Sequence, residues 1–224
     1  MPPALLRYRV SENLARDEFL RIGYGCAQLM ADYSRSAGVE LSQCRRVLDF
    51  GCGCGRTLRW LVRDFTAVEF HGVDVDADAI DWCTKHLPRA RFARNRPDPP
   101  LPYPDRHFDA IYCLSVFTHL DEGAQDRWLE ELSRILVPGG LLLISVHGER
   151  CLDASDLEGI AELKSAGLLH RRSRKLQGIV PDWYQTTWHS QAYVVSRLSA
   201  RFDDVHYYDI PDGTQALVTA RGRG

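Results

Sequence analysis

Apolar residues along this chain follow two alternating spacings, which predict strands and helices in turn. Short runs rich in apolar residues predict strands at 45–50, 68–75, 90–93, 108–116 and 141–146. Between them, apolar residues recur at three- and four-residue steps, which predict helices at 57–65, 77–87 and 122–136. Asp76 and Asp121 precede two of these helices and can cap them. The alternation predicts a doubly wound, mostly parallel α/β sheet of the Rossmann-like kind.

The two ends of the chain depart from this alternation. Residues 1–12 are expected to be extended and loosely attached, and a helix from Asn13 to Gly38 is expected to form an N-terminal helical cap. Asp212 and Gly213 give a hairpin signal near the other end. The remaining elements there are helices at 155–166 and 190–200, an extended segment at 186–189, and strands at 205–210 and 216–220. The last two strands complete a seven-stranded sheet with a terminal antiparallel hairpin.

The composition is that of an ordinary globular protein and argues against several function classes. The 224 residues are 45% hydrophobic and 26% charged, with a formal net charge of -2. This balance gives no electrostatic footprint for nucleic acid, so no such partner is expected. Without an N-terminal signal pattern or an apolar run of about 18 residues, we expect a cytoplasmic protein that does not enter a membrane. The seven cysteines form no C-x-x-C pair and no H-E-x-x-H motif occurs, so no metal is expected.

The stretch at 47–56, VLDFGCGCGR, carries the strongest chemical signal. An apolar strand that contains Asp49 leads into Gly51, Gly53 and Gly55, and a helical pattern follows. Such a turn lets the backbone approach a ligand closely. Asp74 ends the second predicted strand, 19 residues after Gly55, where a carboxylate can bind both hydroxyls of a ribose. These features alone suit either NAD or S-adenosylmethionine.

The glycine spacing helps to separate these two cofactors. The dinucleotide fingerprint is G-x-G-x-x-G, which brings a helix N-terminus onto a pyrophosphate. Here the spacing is G-x-G-x-G, and the acidic Asp49 precedes it. A carboxylate is unfavourable beside a pyrophosphate, but it suits a ligand with an ammonium or sulfonium group. S-adenosylmethionine is therefore favoured, and an NAD-dependent oxidoreductase stays as an alternative.

Four motifs in order resemble the class I S-adenosylmethionine-dependent methyltransferases of the small-molecule type. They are VLDFGCGCG at 47–55, GVDVD at 72–76, LPYPDRHFD at 101–109 and LVPGGLLLI at 136–144. A further segment, SVFTHL at 115–120, is similar to a bacterial subset linked to glycan or secondary-metabolite pathways. The resemblance implies a methyltransferase with S-adenosyl-L-methionine as methyl donor and S-adenosyl-L-homocysteine as product.

The resemblance also implies which residues hold the cofactor. Asp49 would lie near the methionine amino group, and Asp74 would hold the ribose hydroxyls. Asn95 stands where the family often has an acid that binds adenine, and an amide can still accept a hydrogen bond from the adenine amino group. The full set of implied cofactor positions is Asp49, Gly51, Cys52, Gly53, Asp74, Val75, Asn95, Leu114 and Ser115.

The acceptor of the methyl group has weaker signals. His119 follows the fourth predicted strand, and several related enzymes have a histidine at about this position beside the acceptor. His147, just after the fifth strand, and His189 are the other catalytic candidates. The candidates for substrate contact are Tyr24, Tyr184 and Tyr193. A general base is useful only where the acceptor must lose a proton, as an alcohol does.

We therefore interpret the chain as one methyltransferase domain that methylates oxygen or nitrogen of a small molecule or glycan. It divides into an N-terminal helical cap, a cofactor-binding core, an acceptor-site segment and a C-terminal helix with hairpin, at 1–44, 45–148, 149–193 and 194–224. A cofactor-binding module without catalysis is a further alternative. The residues leave open which acceptor is used, which atom is methylated, whether a base acts and how many subunits assemble.

Overall fold

A computed structural model describes residues 1–171, 185–210 and 215–224, and a seven-stranded sheet forms its centre. Its strands are β1 (Arg46–Phe50), β2 (Glu69–Asp74), β3 (Ala90–Arg94), β4 (Phe108–Cys113), β5 (Leu136–Val146), β8 (Phe202–Asp209) and β9 (Ala216–Gly222). A second sheet pairs β6 (Leu168–Arg171) with β7 (Thr186–His189). The order in the large sheet is β3-β2-β1-β4-β5-β9-β8, with β1 to β5 parallel and β9 antiparallel to both neighbours. The predicted fold class is confirmed.

Helices cover both faces of this sheet. They are α1 (Ala4–Ser11), α2 (Arg16–Ser36), α3 (Leu58–Asp64), α4 (Ala77–His86), α5 (Glu122–Ile135), α6 (Leu157–Ala166) and α7 (Gln191–Ser199). Trp128 of α5 and Leu198 of α7 are buried in the core on one face. Met30 of α2 and Leu61 of α3 are buried in the core on the other. Burial on both faces explains the nearly continuous apolar runs of the central strands.

The strand order reverses beside β1, which has β2 on one side and β4 on the other. In open α/β sheets, ligands bind outside the carboxyl ends of the strands at such a reversal. The turn that follows β1 contains the predicted glycines, and Asp49 in β1 pairs in register with Gly72 of β2 and Tyr112 of β4. The topology therefore puts the strongest sequence motif at the expected ligand position.

Two predicted helix caps are confirmed. The Asp76 side chain accepts a hydrogen bond from the Ala79 amide at the start of α4. The Asp121 side chain accepts one from the Ala124 amide, at 2.7 Å, at the start of α5. A carboxylate at this position satisfies an otherwise unpaired amide and favours the positive end of the helix dipole. Both caps fix where the chain enters a helix directly after a strand or strand-end loop.

The prediction for residues 1–12 is wrong, because α1 forms there. Leu6 is buried against Phe19 of α2, and the Arg7 guanidinium donates a hydrogen bond to the backbone oxygen of Leu14 at 2.7 Å. The short segment has no apolar stripe that would mark it as a helix. Contacts with the rest of the fold stabilise it, and such contacts override weak local preferences.

The hairpin formed by β6 and β7 was predicted only in part, since 186–189 was expected to be extended and no strand was expected at β6. The Thr187 amide donates to the Thr118 oxygen at 2.8 Å, and the Thr187 hydroxyl donates to the Leu120 oxygen at 2.8 Å. The His189 amide donates to the His147 oxygen at 2.8 Å. These bonds dock the hairpin on the segments that follow β4 and β5.

Two further expectations concern the C-terminal hairpin and a membrane-spanning segment. The hairpin signal at Asp212 and Gly213 lies outside the described residues. In the three ranges that the structure describes, no helix has the length and apolar character needed to cross a membrane.

Candidate active site

The turn after β1 depends on its glycines. Gly51, Gly53 and Gly55 have φ values of +81°, +50° and +70°, a region that L side chains rarely adopt. A Cβ atom on Gly51 would collide with the side chain of Val116, which follows β4. A Cβ atom on Gly53 would collide with Val10 in α1. The turn is thus held between β4 and the N-terminal helix, with no room for side chains at these positions.

Asp74 is bonded directly to this turn. Its Oδ2 accepts a hydrogen bond from the Gly53 amide at 2.7 Å, and its Oδ1 accepts one from the Asp76 amide at 2.8 Å. Burial raises the pKa of Asp74, and these backbone hydrogen bonds oppose the rise. The two bonds fix the direction of the carboxylate. Each oxygen keeps a lone pair that can accept from a hydroxyl of a ribose.

Asp49 is a buried carboxyl group in the middle of the site. Its Oδ2 accepts a hydrogen bond from the Tyr112 hydroxyl at 2.7 Å. Burial raises the pKa of Asp49 to about 7, the Tyr112 hydrogen bond opposes this rise, and the nearby Asp74 adds to it. A buried carboxylate whose hydrogen-bond partner is an uncharged hydroxyl has no cation in direct contact to balance its charge. The group is therefore suited to an ammonium or sulfonium group on a ligand.

Asn95 follows β3 and offers an unused acceptor. Its backbone N–H donates to the backbone carbonyl oxygen of Asp74 at 3.0 Å. Its side-chain Nδ2 donates to the backbone carbonyl oxygen of Arg96 at 2.7 Å. Within the part of the chain that the structure describes, the buried Oδ1 of Asn95 has no hydrogen-bond partner. Buried polar atoms are usually paired, so this oxygen fits the amino group of an adenine.

The other predicted cofactor positions lie around these strand ends. Cys52 is buried in the glycine turn, and its thiol donates to the Gly53 oxygen at 3.5 Å. Val75 directly follows Asp74, and its oxygen accepts from Arg94. Leu114 is partly buried against the core that α2 covers. None of these three side chains offers a charged group of its own.

Ser115 has a backbone conformation that few non-glycine residues adopt. Its φ is +57°, directly after β4. The Ser115 amide donates to Ser145 Oγ at 2.8 Å, and Ser115 Oγ accepts from Gln215 Nε2 at 2.8 Å. Gln215 comes 100 residues later in the chain and carries no local signal, so sequence reasoning missed it. Ser145 in β5 therefore holds the backbone of Ser115, and Gln215, the residue before β9, holds its hydroxyl.

Helix α1 covers the glycine turn, which sequence reasoning also missed. The Cys54 thiol donates to the Leu6 oxygen at 3.4 Å, and Arg56 Nη1 donates to the Val10 oxygen at 2.7 Å. Arg9 forms an ion pair with Asp76 at 2.8 Å. These three contacts link α1 to both ends of the turn and to the start of α4. The N-terminal segment therefore packs against the candidate site and is not loosely attached.

His119 is held by the hairpin. Its Nδ1 lies 2.7 Å from the Gln185 oxygen, and since a carbonyl can only accept, Nδ1 carries the proton. Burial, with a smaller contribution from the nearby His147, lowers the pKa of His119 to about 4, although the hydrogen bond to Gln185 opposes this shift. At neutral pH the ring is uncharged, with its lone pair on Nε2.

His147 stands at the end of β5, beside the same hairpin. Its backbone pairs with Trp188, and the two rings have centroids 6.0 Å apart. Burial lowers the pKa of His147. His119 and His147 are therefore two neutral imidazoles at the carboxyl ends of adjacent strands. Among the described residues, no group of three or more His, Cys, Asp or Glu side chains could hold a metal ion.

His189 has a different setting, since it is fully buried. Gln125 donates from Nε2 to the Phe117 and Leu120 oxygens, so its Oε1 must accept from His189 Nε2, at 3.0 Å. Burial lowers the pKa of His189 to about 3. This geometry makes His189 a neutral link between β7 and α5. Because its ring is enclosed by protein, His189 is not among the residues that we propose as contacts of the acceptor.

The three predicted tyrosines do not meet in one place among the described residues. Tyr24 is exposed on α2, and its ring stands edge-on to Trp60 of α3 at 5.3 Å. Tyr193 on α7 donates from its hydroxyl to Glu122 at 2.6 Å. Tyr184 lies outside the described residues. Tyr24 and Tyr193 therefore have partners on different helices.

Part of the chain is similar in sequence to known methyltransferases. A family model described as a methyltransferase domain matches residues 47–140. The fatty-acid O-methyltransferase of Mycolicibacterium smegmatis is 35% identical over 101 residues, which are 44% of this chain and 36% of that protein. The phthiotriol/phenolphthiotriol dimycocerosates methyltransferase 1 of Mycobacterium ulcerans is 31% identical over 148 residues, which are 63% of this chain and 48% of that protein. The chain thus spans less than half the length of these two curated relatives.

Among solved structures, the chain is similar to the 1,6-didemethyltoxoflavin-N1-methyltransferase of Burkholderia thailandensis, which was crystallised with S-adenosylhomocysteine. The TM-score is 0.64 at 17% identity, over 99% of this chain and 88% of that one, and at this identity the likeness shows the fold. Residues 47–140 therefore match a methyltransferase domain, and the relatives and the fold are consistent with the class I S-adenosylmethionine-dependent methyltransferases. S-adenosylmethionine, and not NAD, is the cofactor of that class.

Proposed function

We propose that this protein binds S-adenosyl-L-methionine at its glycine turn and transfers the methyl group to oxygen or nitrogen of a small molecule or glycan. One arrangement carries the proposal. The carboxylates of Asp49 and Asp74 and the unpaired amide oxygen of Asn95 belong to the ends of three neighbouring strands, β1, β2 and β3. An ammonium group, a ribose diol and an adenine amino group are the three matching features of the cofactor.

Each of these residues has a binding task that follows from its chemistry. Asp49 would hold the ammonium group, Asp74 would accept from the ribose hydroxyls, and Asn95 would accept from the adenine amino group. The cofactor, when bound, supplies an electrophilic methyl group on sulfur. The protein contributes orientation of donor and acceptor, which can supply roughly 7–11 kcal/mol of the barrier reduction when the geometry is good.

The imidazoles of His119 and His147 are the proposed acceptor contacts. With a pKa of about 4, His119 is a weak base at neutral pH, so it suits orientation of the acceptor better than removal of a proton. An acceptor that already has a reactive lone pair, such as a carboxylate or an amine, needs no strong base. The relatives named above include an enzyme of fatty-acid O-methylation and one of N1-methylation, so both atoms stay within the proposal.

The first test is cofactor binding, measured by isothermal titration calorimetry with S-adenosyl-L-homocysteine and S-adenosyl-L-methionine. We expect the wild-type protein to bind both, and Asp74→Ala to bind at least about 30-fold more weakly, because two charge-assisted hydrogen bonds are lost. The matched control is Asp32→Ala, which removes an exposed carboxylate on α2 that pairs with Arg35. Absence of binding by the wild-type protein rejects the proposed function.

The second test is turnover with radiolabelled methyl donor and a panel of carboxylic acids, phenols, amines and sugars. Methyl transfer to any member supports the proposal and gives the acceptor class. Binding of the donor without transfer to any member favours a cofactor-binding module without catalysis. Comparison of His119→Ala and His147→Ala then tests their part in acceptor binding, which should appear in KM for the acceptor rather than in donor affinity.

A further inference from the structure

Tyr112 stands in a position that no sequence motif indicated. It lies in β4, where it is the in-register neighbour of Asp49 in β1. Neighbouring residues in adjacent parallel strands project their side chains to the same face. Here that face is covered by α2, and both side chains are almost fully buried, with 3% of Asp49 and 4% of Tyr112 exposed. The hydroxyl of Tyr112 and Oδ2 of Asp49 are 2.7 Å apart.

The surroundings of this pair make the hydrogen bond important. Asp74 at the end of β2 adds negative charge near Asp49, and Arg56 after the turn is the cation that opposes it. Three thiols lie near enough to interact electrostatically with the pair, and they are Cys52 in the turn, Cys26 in α2 and Cys113, which is in the core on the opposite face of β4. Burial raises the pKa of Cys52 and Cys113 well above the usual range, so these thiols stay neutral. Among the described residues, the Tyr112 hydroxyl is the one hydrogen-bond donor on the Asp49 side chain.

This hydrogen bond opposes the effect of burial on Asp49. Burial penalises the carboxylate and raises the pKa of Asp49 to about 7, whereas the Tyr112 bond lowers it. The same burial raises the pKa of Tyr112 well above its usual value, so the phenol remains a donor across the whole neutral range. A hydroxyl can donate one hydrogen bond and does so here to the carboxylate.

We propose that Tyr112 is a positioning residue that keeps Asp49 as an oriented anion for the ammonium group of the cofactor, so that this pair sets how donor affinity falls at acid pH. The proposal rests on the proposed function, since it takes Asp49 to face the cofactor. Tyr112 itself contacts Asp49 and acts through it. Loss of the hydroxyl would leave the carboxyl group protonated over a wider pH range and therefore unable to neutralise a cation.

The experiment measures affinity for S-adenosyl-L-homocysteine by calorimetry between pH 5.5 and pH 8.5. Wild-type affinity should fall on the acid side as Asp49 is protonated, whereas the ligand's own α-amino group, which stands beside a carboxylate, stays mostly protonated across this pH range. Tyr112→Phe should move the acid-side midpoint up by about one pH unit, because a hydrogen bond to a charged group is lost. Near pH 6 the variant should therefore bind about tenfold more weakly than wild type.

Two further variants identify the titrating group. Asp49→Asn can still accept the Tyr112 hydrogen bond but cannot ionise, so its weak binding should have no acid-side midpoint. Tyr103→Phe is the matched control, because its hydroxyl also bonds a buried partner, His71, at 3.3 Å, on the same sheet. This control should leave the pH profile of binding as in wild type. Carbon-13 NMR of labelled Asp carboxyl groups in the ligand-free protein should show the upward move of Asp49 directly in Tyr112→Phe.

The outcomes separate the two proposals. If wild type binds the ligand at no pH, the proposed function fails and this inference fails with it. If wild type binds but Tyr112→Phe has the wild-type midpoint in both calorimetry and NMR, only the role of Tyr112 is rejected. A moved midpoint in both measurements supports it. If Tyr112→Phe weakens binding equally at every pH, Tyr112 is a packing residue, and the inference is again rejected.

Discussion

The proposed ligand site has a cofactor end and an acceptor end, and the two ends are built in different ways. At the cofactor end, Asp49 and the glycines lie in one short segment, and Asp74 bonds that segment directly. At the acceptor end, His119 is held by the oxygen of Gln185, 66 residues later, and Gln125 bonds His189, 64 residues later. Local motifs therefore build the proposed donor site, whereas docking of distant segments builds the proposed acceptor end. Changes at the cofactor end should remove donor binding, and changes at the acceptor end should spare it.

The largest expected effect comes from Gly51→Ala. Alanine would have to adopt the positive φ of +81°, and its Cβ would collide with Val116. We expect a loss of about 2–4 kcal/mol in the free energy of unfolding, from backbone strain and overpacking together. Affinity for S-adenosyl-L-homocysteine should fall at least about 100-fold. Urea unfolding and calorimetry measure the two effects.

The matched control for that change is Gly25→Ala. Gly25 lies in α2, and nothing stands within 4 Å of the position that its Cβ would take. Alanine in a helix interior is favoured over glycine, so the control should gain about 0.5–1 kcal/mol of stability and keep donor binding. Equal losses in both variants would contradict the claim that the turn requires glycine.

The second prediction addresses the acceptor end through Gln125→Ala. The change removes the hydrogen bonds to the Phe117 and Leu120 oxygens and to His189 Nε2. The Leu120 oxygen keeps its bond from the Thr187 hydroxyl, whereas the Phe117 oxygen and His189 Nε2 lose this partner inside the fold. We expect a loss of about 2–3 kcal/mol of stability and faster hydrogen exchange at the β7 amides. Affinity for S-adenosyl-L-homocysteine should change by less than about threefold. The exposed Gln28→Ala in α2 is the control, and a large loss of donor affinity in Gln125→Ala would show that the two ends are not separable.

The third prediction concerns the conflict between stability and binding at Asp49. Folding raises the pKa of Asp49 to about 7, so the folded state holds its proton more tightly than the unfolded chain, whose Asp titrates at about 4. The contribution of this group to stability therefore declines as pH rises from about 4 to about 7. Asp49→Asn should raise Tm at pH 8 by about 2–4 °C or more, and by less at pH 5.

Calorimetry completes that prediction, since the same variant should lose donor binding at pH 7.5. A gain in Tm together with a loss of binding identifies a carboxylate retained for function at the expense of stability. A Tm that is equal in Asp49→Asn and wild type at both pH values would contradict the raised pKa.

The smallest expected effect comes from Arg9→Ala in α1. The ion pairs of Arg9 with Asp76 and Asp78 are partly or largely exposed, so each contributes at most about 1 kcal/mol. We expect affinity for S-adenosyl-L-homocysteine to fall by less than about fivefold, with faster dissociation in stopped-flow measurements. Arg21→Ala removes a comparable exposed pair with Glu18 away from the turn and is the control. Identical dissociation rates in all three proteins would show that α1 does not restrain the ligand.

Some elements could be predicted from the sequence and others could not, for a physical reason. Strand and helix periodicity, the caps at Asp76 and Asp121, and the cofactor class all follow from residues close together in the chain. Helix α1 was missed because its stability comes from contacts with α2 and the glycine turn. Strand β6 was missed because four residues with no distinctive pattern become a strand only through pairing with β7.

The sequence by itself determined the doubly wound sheet and the class of methyl donor, because periodic burial and an acidic residue before alternating glycines are properties of short segments. Tertiary structure alone decided which side chains surround Asp49. Tyr112 reaches it because β4 is the neighbour of β1 in the sheet, although 63 residues separate them in the chain. Tertiary structure likewise enclosed His189 and joined His119 to the hairpin. Burial and partner, which set the pKa and direction of each group, depend on the packed fold and not on residue type.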